Sequence, residues 1–154
     1  MQKSIFTRIA QGLVLAAVLG LGMGVGSAQA KPDRLKQDTL ADQHVVIQIS
    51  EGDPFKQKIV LNNVANMLKH YGPDRVQIEV VAYGPGLRLL FDDNANKARI
   101  NSMMQQGVTF SACSNTMANM GKGKGDLIAG ARSVPGGVVQ IMERQDQGWE
   151  YIRP

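Results

Sequence analysis

The sequence predicts a small α/β domain: a three-layer sandwich built on a mostly parallel sheet of about five strands. Three observations carry this. Short runs rich in Val and Ile alternate along the chain with stretches of helical periodicity. The first run, 44–50, is apolar through its centre, as suits a strand covered on both faces. Gly and Pro punctuate the junctions between the two kinds of segment.

The elements follow in order. Residues 44–50 form the first strand, and Asp53-Pro54 then supplies a capping residue with proline at the first helical position. Phe55, Ile59, Val60, Val64, Met67, Leu68 and Tyr71 recur at helical spacing as one apolar stripe, ended by Gly72-Pro73. Residues 76–83 are the second strand, stopped by Gly84-Pro85-Gly86. After an apolar stretch at 87–91, Asp92-Asp93 is positioned to cap a helix reaching about Gln106. Gly107 ends it, and 108–112 read as a third strand. A helix begins near Cys113 and runs into the Gly121-Lys122-Gly123-Lys124-Gly125 loop. An edge strand is expected at 131–134. Pro135 opens a last helix with Val138, Val139, Ile141 and Met142 as its core face, and 149–152 make the final strand.

The amino terminus has a different character. Lys3 and Arg8 precede an apolar, small-residue run from Ile9 to Val25, which closes on Ala28-Gln29-Ala30, a pattern that signal peptidase reads. Gly20, Gly22, Gly24 and Gly26 break the run before it reaches the roughly twenty solid apolar residues of a membrane span. Residues 1–30 therefore read as a cleaved signal peptide, residues 31–43 as a flexible polar leader, and residues 44–154 as one exported domain. A periplasmic location follows, with no membrane association after cleavage. No Cys follows the apolar run, which argues against a lipid anchor.

Composition excludes several function classes. The chain carries 17 basic and 13 acidic residues, and Lys3 and Arg8 leave with the signal peptide, so the rest is nearly neutral. With scattered charge and few aromatics, no nucleic-acid partner is expected. His44 and His70 are isolated and no His/Cys cluster exists, so neither metal nor cofactor is expected. The Gly-Lys loop lacks the Ser or Thr that a phosphate loop places after its lysine, and it reads as a surface loop. Gly84-Pro85-Gly86 reads as a turn. No Ser-His-Asp arrangement appears.

One residue demands explanation. Cys113 is the only cysteine, so it has no internal disulfide partner. In a parallel sheet, ligands bind beyond the carboxyl ends of the strands. Three such ends are Ser50-Glu51-Gly52-Asp53, Tyr83-Gly84-Pro85-Gly86 and Ala112-Cys113-Ser114-Asn115. A Cys at a helix start meets unpaired amides and the positive end of the dipole, and both favour the nucleophilic thiolate. Ser114, Asn115 and Thr116 are placed to add hydrogen bonds. The competing reading is that Cys113 is a small buried hydrophobe.

The strand-one opening, the Tyr83-Gly84-Pro85-Gly86 turn and the 107–117 segment GVTFSACSNTM together resemble DsrE/DsrF-like proteins. The Pro135-Gly136-Gly137-Val138 helix start and the 148–154 ending GWEYIRP fit as well, so the likeness covers about 44–154. The resemblance implies an open α/β sandwich that assembles into trimers or hexamers. It also implies kinship with intracellular sulfur-relay proteins, some of which carry sulfur as a cysteine persulfide, and Cys113 is the best-matching position. This chain departs from them in its export signal, and a shared fold does not fix a function.

Three functions follow as expectations. The first is an exported sulfur carrier, in which the Cys113 thiolate takes a sulfane sulfur from a donor protein or small donor and passes it on. Its site would be lined by Ser50, Glu51, Tyr83, Gly84, Ser114 and Asn115. The second is a non-catalytic ligand-binding or assembly module with Cys113 merely packed. The third is a redox sensor whose thiol oxidises or pairs with another chain.

Overall fold

In the computed structural model the described residues are 41–154. The expected signal peptide and most of the expected leader lie outside them. Gln43, assigned to the leader, is instead the first residue of β1 (Gln43–Ile49). It pairs with Val76 of β2 (Val76–Ala82), and its amide and that of Asp42 both donate to the Arg75 carbonyl.

Five strands form one sheet in the order β4-β3-β2-β1-β5, every pairing parallel. Here β3 is Thr109–Cys113, β4 is Arg132–Val134 and β5 is Glu150–Ile152. The helices are α1 (Pro54–Tyr71), α2 (Lys97–Gln105), α3 (Ser114–Asn119) and α4 (Gly137–Asp146). A 3-10 helix, Gly84–Leu90, follows β2.

Strand periodicity divides the core into two layers. Val45, Ile47, Ile49, Ile78, Val80, Ala82, Phe110 and Ala112 face α1, α2 and α3 in one large cluster. Val46 and Val81 face the other way, toward Ile141 and Trp149. The three expected layers are present, with α4 covering the second face.

Three expectations change. In α1 the buried residues are Gln57, Val60, Leu61, Val64 and Leu68, while Phe55 is 66% exposed. Phe55 is nine residues from Val64, about half a turn round the axis at 100° per residue, so it belongs to the opposite face. Tyr71 has a suitable azimuth but sits at the helix end, exposed, with His70 edge-on to it.

Asp92 and Asp93 do not cap α2. The Asp92 amide donates to the Asp126 carbonyl and Phe91 bridges to Leu127, which keeps the chain out of the helix there. Asn94 makes the turn instead, accepting the Asn96 amide at 2.9 Å, and α2 begins at Lys97.

In α4, Val138, Val139 and Met142 are exposed and only Gly137 and Ile141 are buried. The sheet presents Glu79 and Ser111 to this helix, so the face that meets it is polar: Gln140 and Arg144 in line with Gly137.

Candidate functional site

The chain path changes side beside the end of β3. From β3 it enters α3, which packs with Met117 in the larger core; from β4 it enters α4 on the opposite face. Neighbouring parallel strands whose connections leave in opposite directions open a gap at their carboxyl ends. Cys113 is the last residue of β3, paired with Val134 of β4, and it caps α3 in extended conformation. It stands at this switch point of the sheet.

The thiol is packed, with 5% of the residue exposed. Burial pushes its pKa up, but the hydroxyl and amide of Thr116 and the amides of Gly137 and Asn115 outweigh that and hold it below the ordinary thiol value. The donors come from two separate helix starts, α3 and α4. Thr116 is oriented from behind: its Oγ1 accepts the Gly84 amide at 3.1 Å, which leaves its proton free for sulfur.

Each residue named from sequence has a definite place. Tyr83 is half-buried, its ring laid against Gly137: a Cβ added at Gly137 would sit 2.8 Å from the Tyr83 Cδ1. Burial raises the Tyr83 pKa, and its phenol also feels Tyr151, Arg153, Glu51 and Cys113. Ser50 and Glu51 form the rim. The Ser50 hydroxyl accepts from Gln48 at 3.2 Å and donates to Glu51 at 3.1 Å, and Tyr151 donates to Gln48 at 2.5 Å. Arg153 pairs with Glu51 at 2.7 Å. That partner, against a smaller effect of desolvation and with help from Ser50, lowers the Glu51 carboxyl to about 2.

Gly84 contributes its amide to Thr116 and holds φ +52, a conformation that favours glycine. The Asn115 backbone amide is among the groups that lower the thiol pKa. Ser114 turns away: its hydroxyl shares a 2.7 Å hydrogen bond with Ser133 of β4. Asp53 is occupied as the cap of α1, accepting the Phe55 amide at 2.9 Å. These residues therefore lie at one sheet edge, with Ser114 tying the start of α3 to β4 instead of serving the thiol.

Gly137 and Arg153 were missed. Both follow the carboxyl ends of strands, β4 and β5, that the sequence reading did not count among the ends at the site. The signal was available in Gly136-Gly137, a glycine pair that opens a helix directly after a strand.

Elsewhere the chemistry is quiet. The Gly-Lys loop is tied back on itself: Asp126 accepts the Gly123 amide at 2.8 Å and the Lys122 ammonium at 3.1 Å, and this carboxylate sets a negative charge in the loop. Among the described residues no group of three or more His, Cys, Asp or Glu is placed to hold a metal ion, and no helix is long and apolar enough to cross a membrane. A cavity of about 630 Å³ lies at the other end of the sheet, lined by Gly107, Val108, Thr109 and Arg132, where β3 and β4 begin.

No curated protein matches the chain. Among solved structures, the protein of unknown function BT1422 from Bacteroides thetaiotaomicron is similar, with 16% identity and a TM-score of 0.54 over 76% of this chain and 100% of that one. This likeness is one of fold. The protein of unknown function MTH1491 from Methanobacterium thermoautotrophicum is 39% identical, with a TM-score of 0.71 over 73% of this chain and all of that one. The family model for DsrE/DsrF-like proteins matches residues 43–154, the whole sheet and its helices, and the chain belongs to that family.

Proposed function

We propose that this protein is an exported sulfur carrier working through Cys113. The observation that supports this best is the thiol held at the sheet's carboxyl edge by amides from two helix starts and by the Thr116 hydroxyl. The same donors that favour thiolate would favour the terminal charge of a persulfide.

The step balances simply. The Cys113 thiolate attacks the outer, sulfane sulfur of a donor persulfide R–S–SH; the donor S–S bond breaks, a new S–S bond forms, and R–S⁻ leaves with the electron pair. An acceptor thiolate reverses this and regenerates Cys113. No net oxidant is consumed. The low exposure of the sulfur would shield the intermediate from oxidation, since susceptibility follows thiolate character and access.

Intact-mass spectrometry of the protein with and without polysulfide, beside a Cys113→Ser control, tests the proposal. A gain of about one sulfur mass that reductant removes and the variant lacks is the expected result. An unmodified thiol overturns it.

The 5% exposure also favours a second reading, a binding or assembly module in which Cys113 is packed. There Cys113→Ser would leave partner binding intact. Export rests on the basic, apolar and Ala-Gln-Ala pattern of residues 1–30, and cell fractionation with the mass of the mature terminus decides it. Family membership supports a homo-oligomer, trimer or hexamer, and exposed Val138, Val139 and Met142 on α4 supply apolar surface for assembly. Light scattering on the purified protein reads its size.

A further inference from the structure

A second polar cluster lies under α4, apart from the lining of the thiol, and the sulfur chemistry does not use it. Glu79 stands in the middle of β2 with 1% of its surface exposed, between apolar Ile78 and Val80. It accepts from the Ser111 hydroxyl at 2.5 Å, from Gln140 Nε2 at 3.0 and 3.2 Å, and from Arg144 Nε. The guanidinium also lies over the Trp149 ring, 4.5 Å from its centroid, and donates to Gln147 at 2.9 Å.

A carboxylate is costly to bury even when paired, and an apolar residue of similar volume would often hold a helix as firmly. What ionic and amide contacts add is direction, because a guanidinium and a carboxamide accept only a narrow range of angles. That direction is useful here. Gly137, Gln140 and Arg144 are spaced i, i+3, i+7 and lie on one face of α4. The helix face that carries the clamp also begins with Gly137, which lies three residues beyond Val134, the β4 partner of Cys113, and packs against Tyr83; its amide is among the groups that lower the thiol pKa.

We propose that Glu79 is a positioning residue for Cys113: by holding Gln140 and Arg144 it seats α4 so that the Gly137 N–H points at Sγ. The inference rests on Cys113 being the working thiol, but its readout is the titration of that thiol, which requires no sulfur transfer.

The sign of the effect separates positioning from simple charge. Removing the Glu79 carboxylate deletes a negative charge and leaves Arg144 unmasked, and both changes by themselves favour thiolate and lower the thiol pKa. Losing the Gly137 amide disfavours thiolate and raises it. The titratable groups of the same sheet edge, Tyr83 with the Tyr151, Glu51 and Arg153 that act on it, stay as they are.

The test follows the alkylation rate of Cys113 by iodoacetamide against pH in the full chain, for wild type, Glu79→Gln, Gln140→Ala and Val64→Ala. Gln140→Ala changes no charge and sits at a half-exposed position. Val64→Ala loosens the far face of the sheet and serves as a control for stability alone. The expected result is an upward move of the midpoint in Glu79→Gln and Gln140→Ala, with the rate at pH 7 falling about three- to tenfold. Val64→Ala should melt earlier yet titrate as wild type. An unchanged or lowered midpoint in folded Gln140→Ala overturns the proposal, and so does an equal upward move in Val64→Ala. A wild-type thiol that titrates this way but takes up no sulfur overturns the carrier reading and leaves the positioning role standing.

Discussion

The amide of Gly137, at the start of α4, is among the groups that hold the thiol of Cys113, at the end of β3, below its ordinary pKa. The two residues are distant in sequence and meet only because β4 lies beside β3 and sends its helix to the opposite face of the sheet. The thiol's chemistry thus depends on a helix that the segment around Cys113 does not contain.

Thr116→Val should raise the thiol pKa. The valine keeps the side chain's shape and the backbone amide but loses the hydroxyl that donates to Sγ. The folded-state value is depressed, so the thiolate contributes stability above the ordinary thiol pKa, and that contribution is lost as pH falls through the folded value. In the variant the alkylation rate at neutral pH should drop about threefold or more. An unchanged pH–rate profile would mean that the hydroxyl does not act on the sulfur.

Arg153→Ala should return the Glu51 carboxyl from about 2 toward the ordinary carboxylate value, read by carbon-detected NMR titration. Because the pKa is depressed, the pair's stabilisation is present above pH 4.5 and is lost as pH falls toward 2. The pair is exposed and screened by salt, so the melting midpoint at neutral pH should barely move.

Gly86→Ala should destabilise the fold by at least about 3 kcal/mol, because its Cβ would stand 2.4 Å from the Ile49 carbonyl oxygen, a backbone atom. Gly123→Ala meets nothing within 4 Å and should change stability by less than about 0.5 kcal/mol. Urea unfolding of the two variants checks both.

Leu61→Ala should cost about 2–5 kcal/mol, since the side chain is wholly buried against the sheet. Phe55→Ala, on the exposed face of the same helix, should lie within about 0.5 kcal/mol of wild type. A large loss at Phe55 would indicate a partner covering that face.

Local chemistry made much of the fold legible. Asp53-Pro54 starts α1 as its residue types dictate, and Gly72, at φ 85, ends it. The continuous apolar centres of β1 and β2 announced a sheet covered on both faces. What misled was helical phase. Phe55 and Met142 were assigned to buried faces on hydrophobicity, whereas Gln57 and Gln140 hold the sheet-facing azimuths. A polar residue on a buried face has no signature of its own; its meaning comes from the partner across the interface, here Glu79 for Gln140. The same limit hid Arg153, which acquires its role from Glu51.

Sequence alone determined the alternation of strands and helices, the parallel sheet this requires, and Cys113 at the carboxyl end of a strand beside a helix start. These follow from short-range rules: side-chain period, capping and the steric needs of Gly and Pro. Only the tertiary structure decided which strands are neighbours, which helix covers the second face, and which amides reach the sulfur. Those depend on contacts between distant segments: Gly137 comes near Cys113 only once β4 has paired with β3, and Arg144 finds Glu79 only once α4 lies on the sheet.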